Sequence, residues 1–211
     1  TKNNNLHRNS MVEFPHSIGL LYSAFTEFLG FEVNEGEYKV MGMAPYGSPI
    51  YLEKIDKLFK KKGINFELDL SFFNFNIDSE TNLTEKFIKL FGEPRIPGEI
   101  FFIEKFKEDL SSDSEKITQK ISDKSKYYAD VAASLQTYLE KFVIELIESF
   151  KLKTSNKNLC YAGGVAYNSA INSKIIKSNL YKNIFIQPAA GDSGGALGCA
   201  LGVNSFFNKG V

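Results

Sequence analysis

Apolar residues recur at helical spacing in several stretches of the chain. The longest such stretch predicts a helix over 127–151, and another predicts a helix that begins at Pro15 and ends before Gly30. Two shorter helices are predicted over 48–63 and over 84–91. Proline near the start of a helix and glycine just past its end are the usual boundary signals, and both occur here.

The stretch 64–77 alternates apolar and polar residues, which is the period of a β-strand. It predicts a hairpin or two edge strands. Residues 37–47 are apolar but rich in glycine and proline, so we predict a loop there rather than a regular element. The helix that follows this loop is predicted to have Ser48 as its cap and Pro49 as its first residue.

The last third of the chain contains two strand–turn–helix units. Strands predicted at 159–162 and 184–187 are each followed by a glycine turn and then by a helix, over 167–178 and 193–207. Strands that alternate with helices are typical of an α/β fold. Glycine lets the backbone approach a ligand closely, and a helix that starts there directs free N–H groups toward it. The two turns therefore indicate half of a nucleotide and metal site.

Composition and charge limit the function. The chain has 211 residues, of which 25 are basic and 25 acidic, so a net charge of zero gives no sign of a broad nucleic-acid surface. The highly charged stretch 104–126 is interpreted as a solvated surface helix and loop, or as a partly mobile insertion. No apolar run in the sequence is long enough to span a membrane.

Cys160 and Cys199 lie in apolar, glycine-rich stretches. We expect both to be reduced and buried, as in a cytoplasmic protein, and a disulfide between them is the less favoured alternative. The first residues contain neither a methionine nor an apolar signal core. We therefore expect either a processed start or a part of a longer protein.

Five sequence blocks resemble the family of nodulation and antibiotic O-carbamoyltransferases, in matching order and spacing over about 11–203. One glycine cluster alone would be weak, but five blocks together are specific. The blocks are Phe14-Pro-His-Ser-Ile-Gly, Gly36-Glu-Tyr-Lys-Val-Met-Gly-Met-Ala-Pro-Tyr-Gly, Val131-Ala-Ala-Ser-Leu-Gln, Ala162-Gly-Gly-Val-Ala-Tyr-Asn and Pro188-Ala-Ala-Gly-Asp-Ser-Gly-Gly-Ala-Leu-Gly. In its first domain the family is similar to the threonylcarbamoyladenosine tRNA-modification transferase.

The resemblance implies a fold. Both families belong to the superfamily of actin-like ATPases and sugar kinases, whose ribonuclease H-like lobes have a mixed sheet flanked by helices and enclose a nucleotide cleft. The chain would be a single partial domain over 1–211 that lacks the N-terminal part of the family's domain. Residues 11–126 would form an inter-lobe or insert region, and residues 127–211 the core of the second lobe.

The resemblance also implies chemistry. In the family, carbamoyl phosphate and ATP form a carbamoyl-adenylate in a second domain, and the actin-like domain transfers the carbamoyl group to a hydroxyl of a sugar or an antibiotic. The expected partners are the nucleotide, a small hydroxyl acceptor, and the missing N-terminal lobe and adenylate-forming domain, on the same chain or on another. No membrane or nucleic-acid partner is expected.

The resemblance makes the two glycine turns the expected contacts with the nucleotide. The alternative is that these residues only build tight strand–helix turns, some of which need a positive φ. The expected nucleotide contacts are Gly163, Gly164, Asn168, Gly191, Gly194 and Gly195.

One divalent metal ion, with iron expected, is also implied by the resemblance. The family's ligands are a His-x-x-x-His pair, an upstream aspartate and the aspartate of the Gly-Asp-Ser-Gly-Gly block, which is Asp192 here. The alternative is that Asp192 caps a helix, and the two roles can coexist. The chain has only two histidines, His7 and His16, which cannot form the pair, so the metal site is expected to be incomplete.

Two further residues are candidates for catalysis. His16 would bind the acceptor hydroxyl or act as a base, because its unperturbed pKa lies near neutrality, or it would simply be held by the backbone at a helix start. Lys39 would bind a phosphate or carbamoyl oxygen, or it would be a solvated lysine. Tyr167 replaces the leucine that is usual in the family, which we interpret as a change in packing more than in chemistry.

Two other functions remain open. One is a non-catalytic nucleotide-binding lobe that assembles with a separate partner chain. The other is a relative of the tRNA threonylcarbamoyl transferase, although the neutral charge and the absence of a basic stripe argue mildly against it.

Overall fold

The fold is a mixture of α-helices and small β-sheets, as seen in a computed structural model. The structure describes residues 8–75, 80–101, 103 and 112–208, without the side chains of 112–121, 205, 206 and 208. The elements within these ranges are, in chain order, α1 (Ile18–Phe28), α2 (Glu37–Met43), α3 (Leu52–Asp56), β1 (Phe59–Lys61), β2 (Glu67–Leu68), α4 (Glu85–Phe91), α5 (Ser112–Lys153), β3 (Asn158–Tyr161), α6 (Ser169–Lys177), β4 (Asn183–Ile186) and α7 (Asp192–Asn208).

Helices α1 and α4 confirm two of the predicted helices, and their ends show why the sequence specifies them. The Ser17 hydroxyl accepts hydrogen bonds from backbone N–H groups of the first turn of α1, and the helix ends just before Gly30, whose φ is +75°. Thr84 caps α4 in the same way, and Gly92, with φ of +82°, ends it. A side-chain oxygen at one end and a left-handed glycine at the other thus define both boundaries.

Phenylalanines on α1 and α4 form the centre of one hydrophobic core. Their ring centroids lie between 4.8 and 6.4 Å apart, mostly with edge-to-face geometry. The four rings are completely buried or nearly so, and they belong to Phe25, Phe28, Phe87 and Phe91. The helical spacing of the phenylalanines within each helix places both of its rings on the face that meets the other helix.

Helix α2 lies where a loop was predicted over 37–47, so that prediction is wrong. Val40 and Met43 are buried three residues apart on one face, whereas Gly42 is exposed. Pro45 lies beyond the helix, in the 3₁₀ turn Ala44–Tyr46, where it removes no hydrogen bond from the α-helical ladder. The buried face therefore outweighs the low helix propensity of this segment.

The predicted helix over 48–63 is wrong at both ends. Ser48 donates its backbone N–H to Asp130 Oδ1 of α5 (2.6 Å), and Tyr51 donates its own to the Ser134 hydroxyl (3.0 Å). Because α5 satisfies these N–H groups, no helix begins at Pro49. Residues 50 and 51 form a turn, and helix α3 covers only Leu52–Asp56.

Strands β1 and β2 pair in antiparallel fashion, which confirms in part the hairpin predicted over 64–77. The first strand lies earlier than expected, because Phe59, which falls within the helix predicted over 48–63, belongs to β1. After β2 the chain forms the 3₁₀ turn Leu70–Phe72, and Phe73 makes an isolated bridge with Leu83. Residues 76 and 77 lie outside the described residues.

Helix α5 confirms the predicted helix over 127–151 and extends it to Ser112. The charged stretch 104–126 was predicted to be a surface region. Its residues 112–126 belong to this helix, and its residues 104–111 lie outside the described residues. Buried residues recur along the helix from Tyr128 to Ile147, which is the amphipathic pattern that predicted it.

Strands β3 and β4 and helices α6 and α7 confirm the two predicted strand–turn–helix units. Helix α6 begins at Ser169, slightly later than predicted, because the 3₁₀ turn Gly164–Tyr167 comes first and Asn168 then caps the helix. The confirmed fold class is mixed α/β.

Cys160 and Cys199 are exposed free thiols, so the expectation that they are buried is wrong. Cys160 lies on β3, and Phe185, next to it in the register of β4, is also exposed. Cys199 lies on α7, whose described residues from Gly195 onward are exposed although most are apolar. An apolar sequence does not bury a residue unless another element covers it, and nothing in the described chain covers these faces.

The chain divides into two compact units. One contains the described residues of 14–62 and 66–141, and the other contains the described residues of 1–13, 63–65 and 142–211. The predicted division of the chain into an insert region, 11–126, and a second-lobe core, 127–211, stays a prediction. Among the helices that the structure describes, none has the length and apolar character needed to cross a membrane.

Candidate functional site

The candidate site lies where two parallel strands end. Strands β3 and β4 pair in register from Asn158 opposite Asn183 to Tyr161 opposite Ile186. The Gln187 N–H continues the ladder by donating to the Tyr161 carbonyl oxygen (3.2 Å). Because the strands are parallel, the turns that follow them emerge at the same edge, which is where ligands bind in open α/β sheets.

The first glycine turn is defined by Gly163 and Gly164. Gly163 has φ of +105° and ψ of +163°, a conformation open only to glycine, and its N–H donates to the Ala190 carbonyl oxygen (2.8 Å). Asn168 Oδ1 accepts a hydrogen bond from the Ile171 N–H (3.0 Å) and so caps α6. Asn168 therefore has a structural role as a helix cap, whether or not it also contacts a ligand.

The second glycine turn leads directly into α7. The Gly194 N–H donates to the Gly191 carbonyl oxygen (3.0 Å), which closes the turn around Asp192. A Cβ built on Gly194 would lie 2.1 Å from the Ala189 carbonyl oxygen, so a close backbone approach explains this glycine. Asp192 is the exposed first residue of α7, where a carboxylate is stabilised by the N-terminal end of the helix dipole.

The structure brings seven of the nine predicted site residues to one edge. The bond between Gly163 and Ala190 joins the two turns, and Asn168 and Asp192 each begin the helix that follows a turn. A Cβ built on Gly163, Gly164 or Gly195 would meet no atom within 4 Å. The surface at these three glycines is open, so a nucleotide has room to approach the backbone there.

Tyr167 connects the two turns and was not among the predicted site residues. Its ring lies against Gly191, because a Cβ built on that glycine would come within 2.8 Å of Tyr167 Cε2. Hydrogen bonds with the Gly191 backbone and the Ser193 side chain lower the pKa of the Tyr167 phenol. The packing of the ring against Gly191 agrees with the interpretation of Tyr167 as a packing change, and the hydroxyl adds polar contacts that this interpretation did not include. The available signal was the tyrosine itself, at a position where the resemblance led us to expect leucine.

The residues present do not fit a complete metal centre. No group of three histidine, cysteine, aspartate or glutamate side chains suited to a metal ion occurs in the part of the chain that the structure describes. Among the seven predicted site residues at this edge, Asp192 alone carries a carboxylate. His7 lies outside the described residues.

His16 belongs to the other compact unit. Its Nδ1 accepts a hydrogen bond from the Leu68 N–H (3.1 Å), and it directly precedes Ser17, the cap of α1. In the neutral imidazole the proton then lies on Nε2, so the ring has no free nitrogen lone pair for accepting a proton. This geometry favours the alternative in which the backbone holds His16.

Lys39 also belongs to that unit and lies exposed on α2. Its Nζ is 5.8 Å from the centroids of both the Phe31 and the Tyr38 rings, at the outer limit of a cation–π contact. The exposure and the aromatic neighbours favour the alternative of a solvated lysine.

Comparison with known proteins identifies the family. The family model described as the N-terminus of carbamoyltransferases matches residues 1–201, so the chain belongs to this family.

Three relatives show the extent of the match. An uncharacterized protein of Synechocystis sp. is 43% identical over 194 residues, which is 91% of this chain and 28% of the relative. Nodulation protein NolO of Bradyrhizobium diazoefficiens is 32% identical over 203 residues, covering 94% of this chain and 31% of that protein. Nodulation protein NolNO of Sinorhizobium fredii is 32% identical over 193 residues, covering 90% of this chain and 24% of that protein. The chain therefore spans about a quarter to a third of the length of these relatives.

Proposed function

We propose that the chain is part of an O-carbamoyltransferase and contributes the nucleotide-facing edge of its transfer site. The observation that carries this proposal is the hydrogen bond from the Gly163 N–H to the Ala190 carbonyl oxygen. It joins two glycine turns at the ends of parallel strands. Membership of the carbamoyltransferase N-terminus family supports it. The proposed substrate is a carbamoyl-adenylate, made elsewhere in the full-length protein from carbamoyl phosphate and ATP.

In the proposed transfer, the acceptor's hydroxyl oxygen forms a bond with the carbamoyl carbon. The bond between that carbon and the phosphate oxygen of the adenylate breaks, AMP leaves with the electron pair, and the hydroxyl proton passes to water. Gly163, Gly164 and Asn168 would contact the nucleotide, while Gly191, Gly194 and Gly195 would lie beside its phosphate at the start of α7. The contribution of these residues is to bind and orient the substrate.

The fold proposed for the complete domain is an actin-like lobe. The parallel pair β3–β4 with α6 and α7 supports it, because a lobe of this kind alternates strands and helices. Asp192 stays the one proposed metal ligand in this chain, and no step of the transfer is assigned to a metal.

A second function has its own supporting observation. Helix α7 exposes Leu197, Leu201 and Val203, and a mainly apolar helix normally packs against other protein. This supports contact with further protein, on the same chain or on a separate polypeptide, and so keeps open the alternative of a nucleotide-binding lobe that assembles with a partner chain.

The test of the proposed function uses the full-length protein with carbamoyl phosphate labelled on carbon, ATP and a panel of sugars and oligosaccharides. The expected result is label on the hydroxyl group of one acceptor, and only when ATP is present. Label that appears equally without ATP would contradict the adenylate route. Binding of ADP without any transfer of label across the panel would favour the non-catalytic alternative.

A further inference from the structure

The side chain of Tyr167 crosses from the first glycine turn to the second. It closes the 3₁₀ turn Gly164–Tyr167, which follows the first glycine turn, and it is 54% exposed. The Tyr167 Cε2 atom would be 2.8 Å from a Cβ on Gly191, and the hydroxyl oxygen would be 3.4 Å away. The ring therefore occupies the space that any larger residue at position 191 would need.

The phenol oxygen contacts both neighbours of Asp192. The hydroxyl oxygen lies 3.4 Å from the position of a Cβ on Gly191, and its hydrogen-bond partners are the Gly191 backbone and the Ser193 side chain. The bond to the Gly191 backbone lowers the pKa of the phenol, as donation by a backbone N–H does. Residues 191 and 193 flank Asp192, and the turn that contains them begins α7. A contact on each side of the carboxylate restricts the rotation of this turn more than one contact would.

We propose that Tyr167 is a positioning residue that fixes the second glycine turn, 191–193, against the first. This inference rests on the proposed function, because it gives the fixed turn a role in binding the nucleotide. The hydroxyl supplies the polar link and the ring supplies the steric fit to Gly191.

The ring and the glycine depend on each other. Gly191→Ala places a methyl group against the Tyr167 ring, which must then move away from the turn. In a Tyr167→Ala background the same methyl group meets no ring. We therefore expect Gly191→Ala to weaken ADP binding severalfold in the wild-type background and to have a much smaller effect in the Tyr167→Ala background.

Hydrogen exchange of the Gly191 amide tests the polar link in the full-length protein without relying on catalysis. Tyr167→Phe keeps the ring and removes the hydroxyl, so exchange at Gly191 should become about tenfold faster, as expected for the loss of one hydrogen bond. Ser193→Ala removes one partner of the Tyr167 hydroxyl and should accelerate exchange at Gly191 in part. Ser193→Thr keeps a hydroxyl and should restore the wild-type exchange rate. Tyr38→Phe, an exposed tyrosine on α2, is the matched control and should leave exchange at Gly191 unchanged.

Calorimetry with ADP on the same variants separates positioning from a merely structural contact. The proposal predicts that Tyr167→Phe weakens ADP binding about threefold to tenfold, in proportion to one weakened hydrogen bond, with an unchanged melting temperature. Unchanged exchange at Gly191 would overturn the polar link, and faster exchange with unchanged ADP affinity would overturn the positioning role. A wild-type protein that does not bind ADP would contradict the proposed function, while exchange at Gly191 would still decide whether Tyr167 holds the turn.

Discussion

The backbone N–H of Gly163 donates a 2.8 Å hydrogen bond to the carbonyl oxygen of Ala190. This hydrogen bond joins a residue of the first glycine turn, which follows strand β3, to the residue that precedes the second glycine turn. It depends on a backbone conformation that only glycine adopts without strain, because φ is +105°. One local conformation therefore determines how the two halves of the candidate site meet.

Gly163→Ala should lower the free energy of unfolding by about 1–3 kcal/mol, because a residue with a Cβ is strained at a φ of +105°. No neighbouring atom lies within 4 Å of that Cβ, so the cost comes from the backbone conformation. Urea-induced unfolding measures the change. Gly198→Ala is the matched control: Gly198 lies inside α7 with nothing near its Cβ position, so alanine should be neutral or stabilise by up to about 1 kcal/mol. Equal stability of the two variants would contradict the strain argument.

Gly47→Ala should also destabilise the protein, but for a steric reason. A Cβ on Gly47 would lie 2.0 Å from the Ala129 carbonyl oxygen of α5, so one of the two backbones would have to move, at a cost of about 1–3 kcal/mol. Gly42→Ala, on the exposed side of α2, is the control and should stabilise by about 0.5–1 kcal/mol. Thermal unfolding of the two variants compares them directly, and a stable Gly47→Ala variant would mean that this contact is absent.

Asp69 should make stability depend on pH in the acid range. Burial acts to raise the pKa of Asp69, but hydrogen bonds from Ser71 and Lys86 outweigh it and lower the pKa from 3.8 to about 2. Because the folded pKa lies below the unfolded one, this contribution is present above about pH 4 and is lost as the pH falls toward 2.

Urea unfolding of wild type and Asp69→Asn between pH 2 and pH 6 tests this dependence. The stability difference between the two proteins should shrink as the pH falls from about 4 to about 2. Glu53→Gln, which changes an exposed acidic residue of α3, is the matched control. A stability difference that stays constant over the whole pH range would show that Asp69 is not the group responsible.

Local signals were enough to predict the elements with clear ends. Ser17 and Gly30 define α1, Thr84 and Gly92 define α4, and two short apolar runs define β3 and β4. In each case the hydrogen bonds that begin or end the element lie within a few residues of it. Prediction from the sequence therefore located them to within a few residues.

Contacts between distant residues account for the errors. Helix α3 begins late because Ser48 and Tyr51 donate their N–H groups to α5, more than 80 residues away. Cys160 is exposed because no described element covers its face of the sheet, and the sequence of a strand does not state what lies above it. The candidate site was predicted as a set of residues, but the contact of Tyr167 with the second glycine turn follows only from the three-dimensional structure.

The central claim is that the open surface at the two glycine turns binds the nucleotide, and ADP binding by the full-length protein tests it most directly. Gly164 has a conformation open to other residues and nothing within 4 Å of its Cβ position, so Gly164→Leu should fold normally and place its side chain on that surface. Gly42→Leu on α2 is the control. Calorimetry should give at least tenfold weaker ADP binding for Gly164→Leu and unchanged binding for Gly42→Leu. If Gly164→Leu binds ADP as tightly as wild type does, the nucleotide does not lie at these turns.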